Sequence, residues 1–98
     1  MDMDRDAVIA TLAARLPYLS AAYGVRDLAL FGSVARGAAR PESDVDILVG
    51  FDGPATSRRY FGVQFDLEDH LGRPVDLVTS KALRPEFRHG VEREMIRV

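Results

Sequence analysis

The sequence predicts an α/β (α+β) domain in which helices flank a small mixed sheet of three to four strands. Short apolar runs at 26–31, 44–51 and 74–79 have the length of strands and are bounded by turn-forming residues. Longer segments between them carry apolar residues at helical spacing. Because 98 residues suffice for one hydrophobic core but not for a second substrate domain, we expect a single domain over 1–98.

Composition narrows the class of protein. The chain is 47% hydrophobic and 29% charged, which is typical of a globular domain, and its net charge of -2 disfavours a nucleic-acid groove. The absence of cysteine excludes disulfides and thiolate metal sites. The acidic N-terminus is unlike a signal peptide, and no apolar run has membrane-spanning length. We therefore expect a cytoplasmic protein that binds neither membrane nor nucleic acid directly.

Two helices are predicted before the first strand. The first covers 4–16, with acidic residues at its positive end, and Pro17 is expected to interrupt it. A short second helix would then span 17–23 and end at Gly24. We interpret the apolar face of the first helix as packing on the sheet, with partner binding as the alternative. That face comprises Val8, Ile9, Leu12 and Leu16.

A third helix is predicted at 58–71, capped by Thr56 or Ser57 and ended by Gly72. Its apolar stripe is wide, and we interpret it as core, with a partner interface around Phe61 or Phe65 as the alternative. The stripe consists of Tyr60, Phe61, Val63, Phe65, Leu67 and Leu71.

The C-terminal segment 81–98 is mixed. A four-residue apolar period indicates a helix through Pro85 and Gly90, while 95–98 is equally compatible with a short strand. We expect His70 and His89 to be surface residues rather than metal ligands.

Aspartates mark the second and third predicted strands. Asp44 and Asp46 lie two apart at the start of a strand, so their carboxylates would share a face, about 7 Å apart along the backbone. Asp76 lies in a similar run. Like charges about 5 Å apart at an effective dielectric near 20 cost roughly 3 kcal/mol. Divalent cations with oxygen ligands relieve such repulsion, so the pattern indicates a metal site.

Structural alternatives exist for two of these aspartates. Ser43 and Asp44 are compatible with a simple turn, and Asp76 with a salt bridge to Arg73 or another arginine. Asp46 favours the metal site, because a carboxylate within an apolar strand is costly without partners.

Gly32 and Ser33 follow the first strand and have the features of a phosphate site. The glycine permits close backbone approach, while the serine hydroxyl and the backbone N–H groups of a helical turn at 33–38 are donors. Arg36 and Arg40, the latter in a loop at 37–42, add positive charge, although each is also compatible with a solvated surface position. Phosphate donors beside metal-binding carboxylates suggest a nucleoside triphosphate site.

These residues together resemble a known family. Gly32-Ser33, ten intervening residues, Asp44-Val45-Asp46 and a later Asp76 resemble the nucleotidyltransferase superfamily with the polymerase-beta catalytic fold. Within it, the segments 31–37, 43–46 and 75–78 resemble the minimal nucleotidyltransferase (MNT) antitoxins that are paired with HEPN-domain toxins. The resemblance covers nearly the whole chain.

The resemblance implies a polymerase-beta-like nucleotidyltransferase fold and a protein-modifying reaction. Asp44, Asp46 and Asp76 would be catalytic and hold two Mg²⁺ ions, while Gly32 and Ser33 would bind the phosphates of ATP. The AMP group would pass to a hydroxyl, expected on a tyrosine, of a HEPN ribonuclease toxin. A non-catalytic antitoxin that acts by binding, or a small-molecule nucleotidyltransferase subunit, are the alternatives.

Overall fold

The computed structural model describes residues 5–40 and 42–98, so the predicted helix start at residue 4 and Pro41 of the predicted loop lie outside the described residues. Four helices and four strands are formed in this part of the chain. In chain order they are α1 (Arg5–Tyr23), β1 (Val25–Phe31), α2 (Gly32–Ala35), β2 (Val45–Phe51), α3 (Ser57–Leu71), β3 (Val75–Thr79), α4 (Pro85–Glu94) and β4 (Ile96–Arg97).

The strands form one mixed sheet in the order β3-β2-β1-β4. Strand β1 is antiparallel to both β2 and β4, whereas β2 and β3 are parallel. The predicted mixed sheet of three to four strands, flanked by helices, is thus confirmed.

The sheet has one face that carries the main core. Alternate residues such as Leu30, Ile47 and Leu77 are buried in one cluster with residues of α1 and α3. Successive residues of a strand point to opposite sides, so the other face carries Ala29, Asp46 and the residues paired with them on the adjacent strands. We call this the second face. The carboxylates predicted to form the site are therefore directed away from the main core.

Helix α4 lies on the side of the second face. Strands β2, β3 and β4 run in the same direction, and β3 and β4 are opposite edges of the sheet. The connection β2–α3–β3 therefore runs toward one edge of the sheet, and β3–α4–β4 runs toward the other. Because both crossovers are right-handed, their helices lie on opposite faces: α3 on the face with the main core and α4 on the second face. Contacts at both ends agree with this path, since Arg88 donates to the Ser80 carbonyl beside β3 and Glu94 reaches Gly32 beside β1.

Helix α1 is continuous, and the predicted interruption at Pro17 is wrong. Proline costs one backbone hydrogen bond inside a helix, but tertiary packing holds both halves of α1 in place. Leu12 before the proline and Leu19 after it are both fully buried. Between them, Arg15 makes a two-pronged ion pair with Asp66 of α3, with N–O distances of 3.0 and 2.7 Å.

Helix α3 begins and ends as predicted, but part of its apolar stripe is not core. Thr56 accepts from the Arg59 N–H at its start, and Gly72 adopts the left-handed conformation at its end. Val63 and Leu67 are buried, whereas Phe61 and Phe65 are 48% and 58% exposed and stack on each other. The interpretation of these two phenylalanines as core is wrong, because the helix turns them away from the sheet.

The C-terminal segment combines both predicted structures. Helix α4 begins with Pro85 in its first turn and is followed by the short strand β4, which pairs with β1. Within α4 no residue is buried, and Phe87 is 58% exposed, so this helix packs loosely. Among the described helices, none has the length and hydrophobicity to span a membrane.

Candidate active site

Three carboxylates lie together near the start of the parallel strands β2 and β3. Asp46 of β2 and Asp76 of β3 are paired residues of parallel strands, so they lie side by side on the second face, at a strand spacing of about 4.8 Å. Asp44, exposed, directly precedes β2 rather than starting it as predicted. The sheet thus places together the three aspartates that sequence analysis selected.

Gly32 lies against Asp46. Its neighbour Phe31 pairs with Asp46 across the β1–β2 ladder, and the chain then leaves the strand with a φ of +74° at Gly32. A Cβ atom added at this glycine would overlap the Asp46 carboxylate. Both the backbone conformation and the close approach therefore require glycine.

Asp46 carries the electrostatic cost of the cluster. Burial, and after it the negative charge of Asp76, raise the pKa of Asp46 to about 6. Asp44 contributes in the same direction, while Arg36 opposes the shift. A carboxylate with a raised pKa among other carboxylates is a position where a cation would be bound favourably.

Helix α2 presents Ser33 beside this cluster. The helix is the short segment Gly32–Ala35 rather than the predicted turn at 33–38, and it is anchored by the buried Val34 and Ala35. Arg5 of α1 also donates to the Ala35 carbonyl at 3.3 Å. Ser33 is half-buried, and within residues 5–40 and 42–98 its hydroxyl has no hydrogen-bond partner. The hydroxyl is available to a ligand.

Arg36 follows α2 and forms an ion pair with Glu94 of α4. Its Nη1 lies 3.2 Å from both Glu94 carboxylate oxygens. The same Oε1 accepts a hydrogen bond from the Gly32 N–H at 3.3 Å. Sequence analysis missed Glu94, which is 62 residues from Gly32 along the chain. One feature of the sequence could have pointed to Glu94. It is a carboxylate at the C-terminal end of a predicted helix, where the helix dipole disfavours negative charge.

The structural alternatives for Ser43 and Asp76 have different outcomes. Ser43 does stabilise a turn, since its hydroxyl accepts from the Arg40 N–H at 2.9 Å. Arg73 does not pair with Asp76; it donates to the backbone carbonyls of Arg40 and Ser43. Within the described part of the chain, no arginine or lysine forms a salt bridge with Asp76.

The donor set fits a hard divalent cation. All three side chains offer carboxylate oxygens, the ligands that Mg²⁺ prefers, and Mg²⁺ commonly binds through one or two carboxylates together with phosphate oxygens and water. As positioned, no three acidic or histidine side chains among the described residues form a metal cage by themselves. The carboxylates by themselves would thus supply only part of the coordination of a cation, and further ligands would have to come from water or phosphate oxygens. His70 is exposed and bonds the Asp66 carbonyl, away from the cluster.

The predicted site residues lie apart from a cavity in the structure. The chain does contain a cavity of about 220 Å³, but it lies at the other end of β1 and β2, where Arg26, Gly50 and Lys81 are among its lining residues. None of the six predicted site residues lines it. We assign the chemistry to the carboxylate cluster because three aspartates lie together there beside the Gly32–Ser33 turn, whereas Asp27 is the one carboxylate among the described residues that line the cavity.

Comparison with known proteins agrees with this fold. The model of the nucleotidyltransferase domain family matches residues 15–98. The chain belongs to this family and is a nucleotidyltransferase. It is similar to the protein adenylyltransferase MntA of Thermococcus cleftensis, with 40% identity over 76 residues that cover 78% of this chain and 77% of the relative.

Solved structures have the same fold. A structure assigned to the minimal nucleotidyltransferases matches with a TM-score of 0.83 and 40% identity, covering 98% of this chain and 97% of the other. A complex of a tri-AMPylated HEPN toxin with an MNT antitoxin, from Shewanella oneidensis, matches with a TM-score of 0.59. That match has 19% identity, covers 95% of this chain and 66% of the other, and shows the fold alone. The chain is thus similar to minimal nucleotidyltransferases and to the adenylyltransferase MntA, as its resemblance implied.

Proposed function

We propose that this chain is an antitoxin that transfers AMP from ATP, with Mg²⁺, to a tyrosine hydroxyl of a cognate HEPN toxin and thereby neutralises it. The observation that carries the proposal is the pairing of Asp46 with Asp76, with Asp44 alongside, next to the Gly32–Ser33 turn. Metal ligands and phosphate donors are adjacent in this arrangement, as nucleotidyl transfer requires.

The relatives support the choice of acceptor. MntA of Thermococcus cleftensis is named a protein adenylyltransferase, and the HEPN toxin in the Shewanella oneidensis complex is tri-AMPylated. A related toxin–antitoxin structure contains AMP-PNP, an ATP analogue.

Phosphate binding is assigned to the end of β1 and to α2. The Gly32 N–H and the Ser33 hydroxyl donate to oxygens of the triphosphate, and the Arg36 guanidinium neutralises part of its charge. Because Val34 and Ala35 are buried, this turn is held rigidly against the sheet. The phosphates are thereby oriented with the α-phosphorus toward the carboxylates.

The carboxylates position the metal and the nucleophile. Asp44 and Asp46 would hold Mg²⁺, with Asp76 sharing one of two ions. When bound, the metal neutralises the triphosphate and the departing pyrophosphate. Asp76, which is exposed on the second face, receives the proton of the attacking hydroxyl. The hydroxyl oxygen bonds to the α-phosphorus as the bond to the bridging oxygen of pyrophosphate breaks.

The surroundings of the site favour a protein acceptor. None of the predicted site residues lines the cavity at the other end of β1 and β2, and the second face beside them is bounded on one side by the loosely packed α4. A partner protein that presents a hydroxyl would complete the site and exclude water. This is why we place the acceptor on the toxin.

The test is the intact mass of the cognate HEPN toxin after incubation with this protein, ATP and Mg²⁺. We expect a mass increase of one or more AMP units with the wild type and none with Asp44→Asn/Asp46→Asn. The matched control is Asp27→Asn, since Asp27 is an exposed carboxylate on β1 at the other end of the sheet. This control should retain transfer.

The outcomes separate the proposed function from its alternatives. An unchanged toxin mass together with full neutralisation of the toxin would identify a non-catalytic antitoxin. Transfer of AMP to an added small-molecule alcohol, but not to the toxin, would identify a small-molecule nucleotidyltransferase. Either result would overturn the proposal.

A second test concerns the phosphate turn. Ser33→Ala should weaken ATP binding more than it weakens folding, because the hydroxyl has no hydrogen-bond partner in the described part of the chain. Isothermal titration with ATP and Mg²⁺, beside thermal unfolding of the same variant, checks this. Normal affinity would remove the phosphate role from Ser33.

A further inference from the structure

Glu94 occupies donors that the proposed function assigns to the nucleotide. Its Oε1 accepts from the Gly32 N–H at 3.3 Å and from Arg36 Nη1 at 3.2 Å, and its Oε2 lies 3.2 Å from the same nitrogen. A backbone N–H at a positive-φ glycine and a guanidinium are typical ligands of a phosphate oxygen. Glu94 therefore fills the anion site with a carboxylate of the chain itself.

We propose that Glu94 is an internal competitor of the triphosphate, which must release Gly32 and Arg36 before ATP can bind with its phosphates on this turn. This inference rests on the proposed function and adds a gating step to it. The carboxylate and an incoming phosphate need the same donors and repel each other, so the two occupancies exclude one another.

The position of Glu94 suits a group that can withdraw. It is the last residue of α4, where the negative end of the helix dipole disfavours a carboxylate, so the contacts with Gly32 and Arg36 offset an unfavourable location. Helix α4 has no buried residue to hold it rigidly, and the chain is fixed again just after Glu94 by the pairing of β4 with β1. Since β4 holds the backbone just beyond Glu94, rotation of the Glu94 side chain alone is enough to free the donors.

The side chain is also accessible to solvent when displaced. Glu94 is 31% exposed and Arg36 is 53% exposed, so neither charge becomes buried and unpaired when their contact breaks. An ion pair of this kind contributes modestly to stability, and the bound phosphates replace it with stronger contacts. ATP can consequently displace Glu94 from Gly32 and Arg36.

The test is ATP affinity, measured by isothermal titration calorimetry in the presence of Mg²⁺. Glu94→Gln keeps the size of the side chain but removes the charge that competes with phosphate, and we expect the Kd for ATP to fall about three- to tenfold. Glu92→Gln is the matched control, because Glu92 is an exposed glutamate of the same helix. Its Kd should equal that of the wild type.

A double-mutant cycle distinguishes competition from a structural effect. In an Arg36→Gln background, Glu94→Gln should improve ATP affinity by a smaller factor, since one of the shared donors is already gone. Circular dichroism of each variant reports whether the fold is retained.

Three results would overturn the inference. An unchanged Kd in Glu94→Gln would remove the gate while leaving the nucleotide site intact. A raised Kd would mean that Glu94 orients Arg36 toward phosphate rather than competing with it. Absence of ATP binding by the wild type and every variant would overturn both the gate and the proposed function.

Discussion

At the scale of single residues, Asp46 has opposite effects on stability and on the proposed catalysis. Burial and the neighbouring Asp76 raise its pKa to about 6, well above the usual value for aspartate. The folded state therefore holds the Asp46 proton more tightly than the unfolded chain does. Stability from this group is complete below about pH 4 and is lost as the pH rises through about 6.

Asp46→Asn should therefore abolish AMP transfer and stabilise the protein. Because the side chain is only half-buried, we discount the full shift and expect a gain of about 1 kcal/mol in the free energy of unfolding at pH 7.5. The gain should shrink toward pH 4, where the wild-type aspartate becomes protonated. Urea unfolding at both pH values checks this, and an equal gain at each would contradict the electrostatic account.

Gly32 gives a second prediction at this scale. Gly32→Ala should cost roughly 1–3 kcal/mol more than Gly37→Ala, because of the overlap with the Asp46 side chain, and should abolish transfer. Both glycines have a φ near +70°, but a Cβ at Gly32 would overlap Asp46, whereas one at Gly37 would meet nothing within 4 Å. Gly37→Ala thus measures the backbone strain alone. Thermal unfolding of the two variants checks the difference, and equal losses would show that the contact with Asp46 has no cost.

Much of the candidate site was predictable at residue level because the chemistry is local in sequence. Asp44 and Asp46 are two residues apart, and a carboxylate within an apolar strand is an evident anomaly. Glu94 was not predictable, because its meeting with Gly32 depends on the path of α4 between opposite edges of the sheet. The spacing of residues along the sequence does not show that α4 crosses from one edge of the sheet to the other.

At the scale of elements, α1 shows how tertiary packing overrides a local signal. Sequence analysis correctly assigned helical structure to both sides of Pro17 but expected a break between them. The burial of Leu12 and Leu19 in one cluster, and the ion pair between Arg15 and Asp66, hold the two halves on one axis. The local sequence determines that both segments are helical. The contacts of α1 with α3 and the sheet determine that they form one continuous helix.

Pro17→Ala should therefore stabilise the protein by about 1 kcal/mol, since alanine restores a helical N–H donor without a change in packing. Pro17 is exposed, so the substitution leaves no cavity. The matched control is Pro85→Ala, because a proline in the first turn of α4 lacks no helical hydrogen bond, and it should show no gain. Thermal unfolding compares the two, and a loss of stability in Pro17→Ala would mean that the proline fixes a bend that α1 needs.

At the scale of the whole molecule, the main core lies on one side of the sheet. Sequence periodicity identified the stripe of α3 but not its limits, because a stripe that is wide in sequence does not reveal how much of it a small sheet can cover. Val63 and Leu67 are inside, while the stacked Phe61 and Phe65 are left outside. The number of strands, rather than the hydrophobicity of the helix, sets this boundary.

Substitutions on α3 should reflect that boundary. Leu67→Ala should cost about 2–5 kcal/mol, because Leu67 is fully buried. Phe61→Ser and Phe65→Ser should each cost less than about 1 kcal/mol despite their larger side chains, since both are about half exposed. Chemical denaturation measures all three, and a large loss at either phenylalanine would place it in the core after all.

The pairing of Asp46 with Asp76 has a consequence for how the chain reaches its folded state. A slip of one residue between β2 and β3 would turn Asp76 into the main core and bring Val75 and Leu77 out into solvent. Misaligned chains would therefore be both unstable and inactive. Because burial of Val75 and Leu77 selects one register between β2 and β3, a molecule that folds stably also brings Asp46 and Asp76 side by side in the proposed active site.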